Sequence, residues 1–212
     1  KSCGGGGSDE AYSVQETREG GYIVAGETLS FGAGGNDVWV LKLDPNGAVE
    51  WQKTYGGGNW DSAHSVQQAI DGGYIVAGWT DSFGAGEADV WVLKLRADGA
   101  VEWQKACGGV KWDGAYSVQQ TNDGGYVVIG ATSSFGSSGG LWVLKLVPDG
   151  SMGSYCGFMR DTNISGKDSN ATVKTSSVRA RESNTDPQDS SARVGDTNVP
   201  ANFLYQLFDI KR

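Results

Sequence analysis

Apolar and polar positions along the first three-quarters of the chain fall into short runs punctuated by glycine. In the first fifty-odd residues these runs are AYSVQET at 11–17, GYIVAGET at 21–28, DVWVLKL at 37–43 and AVEWQKTY at 48–55. Their length and their Val, Ile, Tyr and Trp content predict β-strands rather than helices. VWVLKL is mostly apolar throughout, which predicts a strand buried on both faces. AVEWQK alternates, as a half-exposed outer strand does. The separators E-G-G and P-N-G supply glycine where a tight hairpin needs positive φ.

The same pattern returns twice. GGYIVAG at 20–26 recurs at 72–78, and GGYVVIG stands at 124–130, a period of 52 residues. YSVQ at 12 is followed by HSVQ at 64 and YSVQ at 116; SFGAG at 30 and 82 by SFGSS at 134. DVWVLKL at 37 and 89 becomes GLWVLKL at 140, one residue early, while GAVEWQK at 47 and 99 has only the degraded GSMGSYC at 150. Four antiparallel strands at this period make the pattern of a propeller blade, so an all-β, β-propeller-like region of three four-stranded blades is expected over 1–156. Trp39, Trp91 and Trp142 in the apolar strand are expected core, and Trp51 and Trp103 are expected to pack between blades.

The glycine pair, the Tyr and apolar strand after it, and a Trp in a later strand resemble kelch and WD-repeat propellers. They are more similar still to the D-G-G-Y-I-V-A-G repeats of secreted bacterial and archaeal propeller-like proteins. The resemblance covers residues 1 to about 156 and implies the architecture. Kelch repeats would set Tyr and Trp close together, whereas Tyr22 and Trp39 lie on successive strands here.

Three blades do not close a ring, for which four to eight are typical. Two copies making six blades, a degenerate fourth blade from 157–212, or head-to-tail assembly would each supply the remainder. Lys1-Ser2-Cys3 aligns with Lys53-Thr54-Tyr55 and Lys105-Ala106-Cys107, so the chain is expected to start at the end of an outer strand. With the third unit's outer strand corrupted, Cys3 is expected beside Cys156, bridged within one ring or to the next subunit.

Composition changes sharply after this region. No aromatic residue occurs between Phe158 and Phe203, and a seven-residue frame repeats through DTNISGK at 161, DSNATVK at 168 and DTNVPAN at 196. Without recurring apolar pairs this is no coiled coil, and it is too polar to build its own core. A C-terminal extension over 157–212 is expected, as a stalk or as an arm that folds against a partner. NFLYQLFDIKR at its end is expected to dock as a strand on a sheet edge. Asn163 and Asn170 head glycosylation sequons.

Charge narrows the partners. The net charge of −8 disfavours a phosphate-tracking surface, so no nucleic-acid partner is expected. No apolar stretch is long enough to span a bilayer, and no signal peptide is visible. Three cysteines without C-x-x-C spacing exclude a zinc site.

Candidate chemistry is sparse. The single histidine, His64, holds the register position of Tyr12 and Tyr116, and Ser13, Ser65 and Ser117 recur likewise, which marks them as architectural. Asp9, Asp61 and Asp113, with Asp37 and Asp89, could serve as paired acids for glycoside hydrolysis, but turn capping explains them better. No cofactor is implied; Ca²⁺ on these aspartates lacks D-x-D-x-D spacing to support it. Trp60 and Trp112, beside Asp61 and Asp113, form the expected binding positions, suited to stacking on sugar rings; Trp79 is also unexplained by a core. The leading expectation is a non-catalytic, secreted or cell-surface structural or adhesive protein that associates with copies of itself. A glycan-binding lectin-like domain is the alternative, and a glycoside-acting enzyme ranks third.

Overall fold

The computed structural model describes residues 3–135, 138–152 and 172–175, and these are all-β with no helix. The first repeat forms β1 (Asp9–Glu16), β2 (Tyr22–Thr28), β3 (Asp37–Leu43) and β4 (Val49–Gly56). The second forms β5 (Asp61–Gln68), β6 (Tyr74–Thr80), β7 (Asp89–Leu95) and β8 (Val101–Cys107), and the third β9 (Asp113–Gln120), β10 (Tyr126–Thr132) and β11 (Gly140–Leu146). Each repeat folds into its own antiparallel sheet in chain order. The fourth strand expected of the third repeat is represented among the described residues only by the bridge between Leu146 and Met152, where the sequence loses its alternation. A short strand from the tail, β12 (Thr172–Thr175), pairs antiparallel with β4 at the outer edge of the first sheet. Cys156, Asn163, Asn170 and NFLYQLFDIKR lie outside the described residues.

Local chemistry places the turns. The β1–β2, β5–β6 and β9–β10 hairpins each set a glycine at positive φ, Gly20 at 85°, Gly72 at 84° and Gly124 at 80°. Glycine is needed a second time at Gly26, Gly78 and Gly130, which lie opposite a bulge in the first strand of each sheet. A Cβ there would come within 1.9–2.0 Å of the carbonyl oxygen of Glu10, Ser62 or Gly114. The bulge bends each first strand and increases its twist.

The sheets pack face on face, with β5 against β1, β2 and β3, and β9 against β5, β6 and β7. Strand alternation sends neighbouring residues to opposite faces, so the middle sheet feeds two cores. Tyr74, Val76, Trp91, Leu93 and Leu95 meet Ile23, Ala25, Val38, Val40 and Tyr55 of the first sheet. Ile75, Ala77, Val90, Val92 and Cys107, one position along, meet Val118, Tyr126, Val128, Trp142 and Leu144 of the third. Trp51 sits edge-on to Tyr74 at 5.9 Å, and Trp103 to Tyr126 at 5.8 Å, each across a sheet–sheet interface. The apolar β7 is buried along its whole length, as its composition predicts, and Trp39, Trp91 and Trp142 are all buried.

Buried lysines sit in the same strands. The Lys94 side chain is 3% exposed, yet its ammonium reaches Asp71 at 2.6 Å and Glu102 at 3.1 Å, both near the surface. Burial alone would lower its pKa, but hydrogen bonds to Asp71 and Glu102 and their charges prevail and raise it. Lys42 repeats the arrangement with Glu50 at 3.0 Å.

Candidate functional site

The recurrent serines and glutamines of YSVQ tie the sheets together. The N–H of Val66 donates to Ser13 Oγ at 3.1 Å, and that of Val118 to Ser65 Oγ at 3.2 Å. The N–H of Gln68 donates to Gln15 Oε1 at 2.6 Å, and that of Gln120 to Gln67 Oε1 at 2.7 Å. A first strand in a sheet has one edge without a backbone partner, and these side chains satisfy it from the preceding sheet.

The recurrent aspartates are loop clamps. Asp61 is fully buried and accepts from the Gly57 N–H and Ser82 Oγ, both at 2.8 Å, and from the Thr80 hydroxyl. Asp113 accepts from the Gly109 N–H at 2.8 Å and Ser134 Oγ at 2.6 Å, and Asp9 from the Gly5 N–H at 2.7 Å and Ser30 Oγ at 2.8 Å. Each clamp joins the loop entering a sheet to the loop leaving its second strand. At Asp61 burial dominates and raises the pKa. Asp9 is less covered: burial opposes its charge, but hydrogen bonds from Thr28, the Gly5 N–H and Ser30 outweigh it and lower the pKa. Asp37 and Asp89 act one loop further on, accepting from the Ala33 and Ala85 N–H groups at 2.6 Å.

The four expected binding residues therefore divide. Trp60 is 59% exposed and Trp112 half-buried, whereas Asp61 and Asp113 are buried and engaged in clamps. Each Trp stands in the loop just before the strand that its Asp opens.

Trp112 belongs to an aromatic row. His64 stacks on Tyr12 with ring centres 5.0 Å apart and meets Tyr116 edge-on at 5.8 Å, and Trp112 leans on Tyr116 at 6.3 Å. Trp79 Nε1–H donates to His64 Nε2 at 3.1 Å, which explains this otherwise unassigned indole. Tyr12 and Tyr116 are exposed. Burial lowers the His64 pKa and favours the neutral ring, in which Nε2 is an acceptor. The shared register of Tyr12, His64 and Tyr116 is visible in the sequence, but their meeting depends on how the sheets stack.

The half-buried Cys3 lines a recess of about 210 Å³ on the first sheet together with Asp9, Val24, Trp39, Leu41 and Leu43. Cys107 is in the core between the second and third sheets, where burial raises its thiol pKa to about 11. Among the described residues no three His, Cys, Asp or Glu side chains converge to hold a metal ion.

No family model matches the chain, and no curated protein is significantly similar to it.

Proposed function

We propose that this protein is a non-catalytic, propeller-like repeat scaffold that works outside the cell by associating with copies of itself. One observation carries the reading: the polar residues that recur in every repeat are spent on construction. Ser13 and Ser65 tie sheets, Asp9, Asp61 and Asp113 clamp loops, and Lys42 and Lys94 anchor hairpins. Symmetric residues held in equivalent structural bonds suit a scaffold better than the asymmetric acid and base roles of hydrolysis. An extracellular setting accords with the sequons at Asn163 and Asn170 and the Ser/Thr-rich tail. Sedimentation velocity with negative-stain microscopy of the purified chain tests the reading. Concentration-dependent assemblies of defined form support it, and a folded monomer at every concentration contradicts it.

Glycan binding is the second reading, and the Tyr12–His64–Tyr116 row with Trp112 favours it, because exposed aromatic faces stack on sugar rings. A glycan array decides it: binding that disappears in Trp112→Ala and Tyr116→Ala supports this surface.

A further inference from the structure

Among the described residues, the outer faces of the first and third sheets correspond in register to the two halves of the junction that repeats within the chain. Within the chain, each junction joins a leading face, made by Val66, Tyr74, Val76, Trp91 and Leu93 in the middle sheet, to a trailing face, made by Ile23, Ala25, Val38 and Val40 in the first. The 52-residue register assigns the same leading face on the first sheet to Val14, Tyr22, Val24, Trp39 and Leu41. No described sheet covers it: Val14 and Tyr22 are 66% and 38% exposed, while Trp39 and Leu41 beneath them are buried. On the third sheet the trailing face falls to Val127, Ile129, Leu141 and Val143, with Leu141 81% exposed. Single exposed apolar residues are ordinary, but Ile129, Leu141 and Val143 cluster on one face and Val14 and Tyr22 rim the other, which suits interaction surfaces.

Polar groups match as well. Ser117 and Gln119 hold the positions from which Ser13, Gln15, Ser65 and Gln67 accept N–H groups of the next sheet, and both are exposed. At the other end, the N–H groups of Val14 and Glu16 on β1 are register equivalents of the donors at Val66 and Gln68. Cys3 adds a third correspondence. It stands in register with Tyr55 and Cys107, which pack from a preceding sheet onto Trp91 and Trp142 in the two cores, and it lies in the recess with Trp39.

We infer that the trailing face of the third sheet receives the leading face of the first sheet of a second copy, continuing the stack from one molecule into the next. This rests on the self-associating reading and names its surfaces. The contact is heterologous, so two copies close a ring or many form an open array, depending on the rotation each junction imposes.

The test compares the full chain, Val14→Asp, Leu141→Asp and an equimolar mixture of the two variants by sedimentation velocity. Both sites are exposed, and circular dichroism checks that each variant keeps its strands. Each variant alone should self-associate at least tenfold more weakly than the parent. The mixture should recover a dimer, because each variant retains the one face that the other has lost. If folded variants associate like the parent, or the mixture is no tighter than its components, the assigned faces are wrong although self-association stands. A parent chain that stays monomeric overturns both the faces and the scaffold reading.

Discussion

The middle and third sheets are written in almost the same residues and meet different surroundings. Val90 and Val92 on β7 are 1% and 0% exposed, whereas their counterparts on β11, Leu141 and Val143, are 81% and 43% exposed. On the opposite face the two sheets agree, with Trp91 and Trp142 equally buried. The repeat therefore encodes a sheet that is apolar on both sides, and position in the stack decides whether both sides are covered. Apolar faces at the end of a stack of sheets need either a polar cap or a partner, and among the described residues no cap covers Leu141 and Val143 of β11.

The largest effects should separate these two sheets. Val92→Asp puts a carboxylate between two packed sheets and should prevent folding, while Val143→Asp should leave the unfolding free energy of the monomer within about 1 kcal/mol of the parent. Trp91→Ala should cost about 3–5 kcal/mol in urea unfolding, because the surrounding core cannot collapse into the space. Equal losses from Val92→Asp and Val143→Asp would break the comparison.

The clamps give a smaller contrast between first and second sheets. Asp61→Ala strands the Gly57 N–H and two hydroxyl donors in a buried loop and should cost about 2–4 kcal/mol, against about 1 kcal/mol for the half-buried Asp9.

Next is the buried lysine. Hydrogen bonds from Lys94 and the Gly73 N–H lower the Asp71 pKa despite the opposing effect of burial. A carboxylate with a depressed folded pKa stabilises above its unfolded value of about 3.9 and loses that contribution as pH falls through the folded value. Lys94, whose pKa is raised, keeps its contribution below about 10.4 and loses it as pH climbs through the folded value. In Lys94→Met both the acid and the alkaline limbs of the melting-temperature profile should become shallower.

The smallest effect belongs to His64. Its depressed folded pKa means that the unfolded chain takes up a proton first, so stability should fall as pH drops below about 6.5. His64→Tyr, matching Tyr12 and Tyr116, should remove that step between pH 7 and 5 in thermal melts.

The strands were legible because their punctuation is local. Gly20, Gly72 and Gly124 mark hairpins by their own backbone chemistry, and VWVLKL declares its two-sided burial by composition. Of the degraded GSMGSYC, the described residues reach only as far as Met152, which bridges Leu146. The burial of Asp61 and Asp113 in loop clamps depends on contacts with Ser82, Thr80 and Ser134 that neighbouring residues in the sequence do not announce. The Ser13–Val66 tie and the Tyr12–His64 stack were out of reach, since both arise from the offset between sheets that no single repeat specifies.

The most direct test of the end faces is a short bismaleimide cross-link between Val14→Cys chains and Leu141→Cys chains, in a background carrying Cys3→Ser and Cys156→Ser. The stacked-sheet account predicts a covalent product joining position 14 of one molecule to position 141 of another, in excess over 14–14 and 141–141 products. Cross-links dominated by like positions, or none in an associated sample, would contradict it.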